Sequence, residues 1–171
     1  MASDLEPPFV IRPASFADLG FLQEMLVEAA YWRPDSPRPS LAEGLARPDL
    51  AHLLAGWGRE GDQALVAQTK DGAPSGAVWL RFWTPEQHSY GFIDSQTPEM
   101  GIGVRAQARR QGIGAALIAS LLTEAKRHGI RSISLSVEKE NPAARLYLQA
   151  GFVVHAEFDG SWTMVVDLPP E

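Results

Sequence analysis

Hydrophobic spacing changes period several times along the chain and divides it into elements. "FVIRPAS", residues 9–15, reads as a short first strand. "FADLGFLQEMLVEAAYW", residues 16–32, places Phe21, Leu22, Met25, Leu26 and Ala29 at helical spacing and predicts a helix. Three prolines in "RPDSPRPS", Arg33 to Ser40, preclude regular structure there. Ser40 followed by Glu43 forms a capping box for a second helix, which Pro48 breaks and Asp49 restarts as "DLAHLLAGWG". "DQALVAQ" and "SGAVWLRFW" read as two strands joined by the turn "KDGAP". A loop, "PEQHSYGFIDSQTP", leads into "EMGIGV", where Met100, Ile102 and Val104 alternate with Gly101 and Gly103. That pattern predicts a strand with one face bare of side chains, open to a ligand lying along it. A helix follows from about Gly112 to His128, with Ile113, Leu117, Leu121 and Ala125 as its apolar stripe. "SISLSV" alternates Ile133, Leu135 and Val137 with three serines, a half-buried strand. "FVVHAEF" and "SWTMVVDL" flank Asp159-Gly160 and predict a closing hairpin. The order of elements predicts a mixed α/β sheet with helices on both faces.

Composition narrows the class. A chain of 171 residues favours one domain, 1–171, with a full core. No apolar run approaches the ~18 residues of a membrane span, and "MASDLEPPFVIRP" lacks a signal pattern, so a cytoplasmic location is expected. The absence of cysteine removes disulfides, thiolate nucleophiles and most structural zinc sites. A formal charge of -6 argues against nucleic acid as partner. Histidines 52, 88, 128 and 155 show no metal spacing, and a serine-hydrolase elbow is missing, so no metal is expected.

"RRQGIGAALIASLL" carries the most chemistry. Two glycines and two arginines open an otherwise regular amphipathic helix. Backbone N–H groups at a helix start lack partners and sit at the positive end of the dipole. Glycine permits close approach, and Arg105, Arg109 and Arg110 add charge around the turn, which suits a pyrophosphate. A plain strand-to-helix turn with solvated arginines is the other reading. The P-loop pattern is absent, and Leu117 stands where a dinucleotide fingerprint needs its third glycine.

"VRAQARRQGIGA" resembles the acetyl-CoA signature of the GNAT N-acetyltransferase superfamily, matched by Val104, Arg109, Gly112 and Gly114. A second block, "SLSVEKENPAARLYLQAGF", resembles the family's Asn-Pro-Ala, Leu-Tyr and Gly-Phe segment through Asn141, Pro142, Ala143, Leu146, Tyr147, Gly151 and Phe152. The likeness follows element order over about 9–168 and is specific over 98–152. It implies a mixed, mostly antiparallel sheet of six to seven strands with the fourth and fifth splayed, and transfer of acetyl from acetyl-CoA to a primary amine.

The same resemblance implies site roles. Ile102, Gly103 and Val104 lie along the pantetheine arm, with the Val104 N–H facing the oxyanion. The N–H groups of Arg110, Gln111, Gly112, Ile113, Gly114 and Ala115 hold the pyrophosphate, with the Arg109 side chain nearby. Asn141 either caps the next helix, hydrogen-bonds the coenzyme, or does both. Tyr147 is the candidate general acid for the departing thiolate, against a packed core aromatic; with a phenol near ~10 and a thiol near ~8.5, only a modest local shift is required. Glu99 is the candidate base, against a solvated strand-end glutamate, and His88 is its rival. Tyr31, Trp32, Trp83, His88 and Tyr90 either wall an acceptor pocket or pack loops onto the core. The acceptor is a small-molecule or protein amine, and the resemblance allows a homodimer. An acyl-CoA-binding module without catalysis is the alternative; it needs neither Tyr147 nor an acceptor pocket.

Overall fold

Seven strands form one sheet in a computed structural model that describes residues 6–170. The ends of the expected 1–171 domain, and Met1–Leu5 of the N-terminal pattern, lie outside the described residues. Chain order runs β1 (Phe9–Pro13), α1 (Leu19–Ala30), α2 (Leu41–Leu45), α3 (Pro48–Ala51), β2 (Gln63–Thr69), β3 (Pro74–Arg81), β4 (Glu99–Val104), α4 (Ile113–Arg127), β5 (Ser132–Glu138), α5 (Ala143–Gln149), β6 (Val153–Phe158) and β7 (Ser161–Asp167). The sheet order is β1-β2-β3-β4-β5-β7-β6. Every neighbour pair is antiparallel except β4 with β5, which α4 connects as a crossover. Among the described residues no helix is long and apolar enough to cross a membrane.

Helices cover both faces. Ile113, Leu117, Ile118, Leu121 and Ala125 of α4 are buried in a core shared with Ile133, Leu135 and Val137 of β5 and with Tyr147 and Phe152. Each buried Leu or Ile contributes about 1.5–3 kcal/mol relative to an exposed one. On the opposite face Phe21, Leu22, Met25 and Leu26 of α1 pack on Val66, Ala77 and Trp79.

The bare face of β4 is not open. A Cβ at Gly103 would lie 2.4 Å from the Met25 carbonyl oxygen, and one at Gly101 would lie 2.4 Å from the Trp79 ring. These glycines admit the backbone of α1 and an indole, not a ligand; strand alternation alone does not tell a bare face from one closed by a helix. Two helix boundaries also differ from the spacing. α1 stops at Ala30, short of Trp32, because Arg33 precedes a proline and is driven out of helical geometry. Pro48 does not interrupt α3 but begins it at the first helical position, and the segment leaves helix after Ala51, where Gly56 and Gly58 take positive φ.

Candidate active site

β4 and β5 are joined at one end only. Their single bridged pair is Glu99 with Ser134, and the Ser134 N–H donates to the Pro98 carbonyl at 3.0 Å. Beyond it the strands part. On the other edge of β4 the Arg105 N–H donates to Ser75 O at 2.8 Å. Peptide alternation then turns the N–H and C=O groups of Val104, Ile102 and Met100 toward the gap. A cleft of about 480 Å³ opens there, between β4, the start of α4, β5, α5 and the end of α1.

The cleft ends on the turn before α4. Arg110 and Gly112 both sit in the left-handed region, at φ 62° and 81°. Such geometry is costly for arginine and bends the chain so that successive N–H groups point outward. No N–H from Arg110 to Ala115 donates to another protein group among the described residues. A Cβ on Gly112 would meet no atom within 4 Å, whereas one on Gly114 would reach Leu146 Cδ2 at 3.0 Å. Gly112 therefore faces open space, while Gly114 also lets α5 pack against α4.

Arg109 and Arg110 line the cleft, and Arg105 and Arg109 also pair with carboxylates of α1. Arg105 Nη2 donates to Glu24 Oε2 at 3.1 Å and its guanidinium covers the Phe21 ring. Arg109 Nη2 donates to Glu28 Oε1 at 3.0 Å. Both turn toward α1, where the short reach across the turn offers carboxylates, and only Arg110 of the three has no carboxylate partner among the described residues. Glu28 lines the cleft and also binds Arg38 of the proline-rich loop. Heptad-like spacing on α1 gives no hint of this bracket.

Asn141 Oδ1 accepts from the Ala143 N–H at 3.0 Å, so its carbonyl caps α5 while its amide N–H groups remain free to donate into the cleft. Tyr147 lines the cleft and stacks edge-on with Phe152, with ring centroids 6.1 Å apart. Burial pushes its phenol up to about 12. The shift runs opposite to the one that eases proton donation.

Glu99 sits at the point where the strands part. Its carboxyl is pushed up to about 7, chiefly by burial, against hydrogen bonds from Ser89 and the Gly91 backbone and the nearby His88. Ser89 Oγ donates to Oε1 at 3.0 Å, while Oε2 is buried with no partner. Glu99 is not a wall residue of the cleft; its carboxyl lies behind Gly91 and Ser136.

The five aromatic candidates do not share one wall. Trp32 lines the cleft, with the Arg33 guanidinium 4.5 Å from its ring centre. Tyr31 lies in a separate groove and accepts from Arg47 at 2.8 Å. Trp83 is buried beside His52, Arg59 and Arg81. His88 stacks on Phe92, and Tyr90 is exposed. Arg81, wholly buried, is held by Asp62 at 3.1 Å and by the Leu53 carbonyl. A lone arginine in an apolar strand was the only sequence signal for that pair. No cluster of three or more potential metal-ligating side chains occurs among the described residues.

An open sheet parted between two strands, ending on free peptide N–H groups, is the architecture of a domain built for a long ligand with an anionic end. The family model of the Acetyltransferase (GNAT) family matches residues 20–152, and the chain belongs to that family. No curated protein matches it. Among solved structures, the PaiA N-acetyltransferase of Thermoplasma acidophilum, in complex with coenzyme A, is similar over 93% of this chain and 98% of its own, at 20% identity and TM-score 0.68. A phosphinothricin acetyltransferase from Sinorhizobium meliloti, in complex with AcCoA, is 22% identical over 94% and 89% of the two chains, TM-score 0.66. A ribosomal-protein-alanine N-acetyltransferase from Brucella melitensis is 24% identical over 93% and 99%, TM-score 0.67. At these identities the likeness establishes the shared fold.

Proposed function

We propose that this chain transfers the acetyl group of acetyl-CoA directly to a primary amine. The observation that carries the reading is the cleft between β4 and β5, whose far end is the row of unpartnered N–H groups from Arg110 to Ala115. A pyrophosphate there meets several converging donors and the positive end of α4. The pantetheine then runs beside the free edge of β4 and pairs with Ile102 and Val104 as a strand would. Asn141 supplies an amide donor on the opposite side.

The acetyl carbonyl in this placement accepts from the Val104 N–H, a fixed dipole where negative charge develops during attack. The amine nitrogen bonds to the carbonyl carbon, and the carbon–sulfur bond breaks. Tyr147 lines the sulfur end. Its raised phenol does not rule it out as donor, because the dry cleft that disfavours phenolate disfavours thiolate as well. Glu99 removes the amine's proton, for which a carboxyl near 7 is well matched. No metal takes part in this sequence of steps.

The acceptor class is a small-molecule or protein amine. Relatives in fold are described as acting on spermidine, phosphinothricin and ribosomal-protein alanine. Acetyl-CoA consumption with spermidine, phosphinothricin and an alanine-terminated peptide tests the reading. Saturable turnover with any of them supports it. Tight CoA binding without turnover across a wide amine panel would leave only the binding module. Action in the cytoplasm and as a homodimer belongs to the same proposal, and sedimentation velocity reads the latter.

A further inference from the structure

Glu28, in the last turn of α1, stands where three parts of the chain meet. Its side chain is largely buried beneath two guanidinium groups. Arg109 Nη2, from the turn before α4, donates to Glu28 Oε1 at 3.0 Å. Arg38 Nη1, from the proline-rich loop, donates to the same oxygen at 2.6 Å and also reaches Oε2. One oxygen therefore serves two cations, while a single Arg38 nitrogen is divided between two oxygens. Nε and Nη2 of Arg38 bond no other group among the described residues. This falls short of the two-nitrogen fork in which arginine binds a carboxylate best. Two like charges share one partner, so removing either cation strengthens the hold of the other.

The loop that carries Arg38, from Arg33 to Ser40, is fastened at its other end as well. Arg33 Nη2 donates to Glu138 Oε2 at 2.6 Å, and its Nη1 donates to Glu140 Oε2 at 3.0 Å. Glu138 ends β5 and Glu140 adjoins Asn141 of the cleft wall, so these bonds run from the α1 side of the cleft to its β5 side. Trp32, next to Arg33, lines the cleft. Pro34, Pro37 and Pro39 fix φ at three positions of the loop. The Ser36 N–H donates to the Arg33 carbonyl at 3.3 Å. The segment is thus a stiff strap, and a pull at Arg38 is passed along it toward Trp32. There is also room for it to move. A groove of about 170 Å³ lies between α1 and the strap, bordered by Val27, Tyr31, Arg38 and Pro39.

We propose that Glu28 couples the phosphate seat to this strap. Coenzyme phosphates draw Arg109 off Glu28, Arg38 then takes both carboxylate oxygens, and the strap closes into the groove and carries Trp32 with it in the cleft wall. The inference rests on the placement of the pyrophosphate at Arg110 to Ala115. Arg109 is half-exposed and lines the same cleft, so it changes partner without unpacking the core. A pyrophosphate carries more negative charge than one carboxylate, which sets the direction of the exchange. Glu28 is a positioning residue: it acts through the two arginines. The coupling is reciprocal, so a seated strap favours the coenzyme as much as the coenzyme favours the seated strap.

Two arms test it, both with CoA as the probe. In calorimetry at low salt, Arg38→Gln is expected to weaken CoA binding about threefold, the scale of a part-exposed ion pair, because Arg109 then holds Glu28 alone. In a Glu28→Gln background the same replacement is expected to leave CoA affinity unchanged. Loss of a distant positive charge would act equally in both backgrounds, so an equal loss in the two overturns the coupling. In the second arm, saturating CoA is expected to shift the amides of Asp35, Ser36 and Ser40 in the ¹⁵N-labelled protein, although none of these residues lines the cleft. In Glu28→Gln, CoA is expected to shift the turn before α4 and leave those three amides in place. Wild-type protein whose turn responds while the strap stays unmoved refutes the coupling and leaves the coenzyme site standing. A turn that does not respond to CoA at all refutes both.

Discussion

Arg109 Nη2 and Glu28 Oε1 lie 3.0 Å apart, joining the turn before α4 to the body of α1, and Arg38 holds the same carboxylate from the proline-rich loop. The family-signature arginine is thus partly neutralised before any phosphate arrives. Arg109 remains substantially exposed, so the pair is worth no more than about 1 kcal/mol.

Glu28→Gln is therefore expected to strengthen CoA binding several-fold at low salt, an advantage that fades at high salt as screening removes it. Arg109→Gln is expected to weaken binding by less than about tenfold, because backbone N–H groups carry most of the phosphate contact. Titration calorimetry at two salt concentrations checks both. A loss of binding in Glu28→Gln would show that the carboxylate holds the turn in shape.

Gly112 and Gly114 are expected to respond differently to valine. Gly112 has φ of 81° and open space where its Cβ would stand, so Gly112→Val strains the turn and fills the phosphate seat. CoA affinity is lost, while Tm falls by only a few degrees. Gly114→Val pushes on Leu146 at the α4–α5 contact and lowers Tm further. Calorimetric binding together with thermal melts separates the two, and normal CoA binding by Gly112→Val would reduce the turn to a helix entry.

Tyr147→Phe keeps the ring against Phe152 and removes a hydroxyl that no protein group holds among the described residues. Stability and CoA affinity should stay level while kcat falls roughly 10²-fold. Steady-state kinetics beside a melt decides; unaltered kcat per folded molecule would return Tyr147 to the role of a core aromatic.

Glu99 links rate to stability. Its folded-state value of about 7 lies above the ordinary 4.5, so the folded chain favours the protonated form. The associated stability is complete below about pH 4.5, where the unfolded chain is also protonated, and is lost as pH rises through 7. Glu99→Gln, neutral at every pH, is accordingly expected to melt higher than wild type above pH 7 and to match it near pH 4. Its kcat/KM falls at pH 7 and recovers partly at higher pH as free amine accumulates. Melts across pH, set beside the kinetic profile, test the assignment; parallel melting curves at all pH values would mean that the carboxyl is not held in a dry site.

The strands, the long helix and the anion-binding turn were legible because each leaves a local mark. α4 shows its apolar stripe and its glycine start, and the hairpin shows Asp159-Gly160. What escaped depends on distant packing. Nothing within "EMGIGV" says that Met25 and Trp79 fill the glycine face. Glu28 meets Arg38 and Arg109 only once α1, the loop and the turn converge. The scattering of Tyr31, Trp83, His88 and Tyr90 follows from loop paths that composition does not encode. Ser134 looked like one of three strand serines until the ladder set it beside Glu99.

A titration of the ¹⁵N-labelled protein with acetyl-CoA, followed amide by amide, tests the coenzyme site most directly. Saturable shifts concentrated at Ile102 and Val104 on the free edge of β4, and at Arg110 to Ala115 on the turn, are the expected result. Absence of saturable shifts at millimolar acetyl-CoA, or shifts gathered away from the β4–β5 cleft, would contradict it.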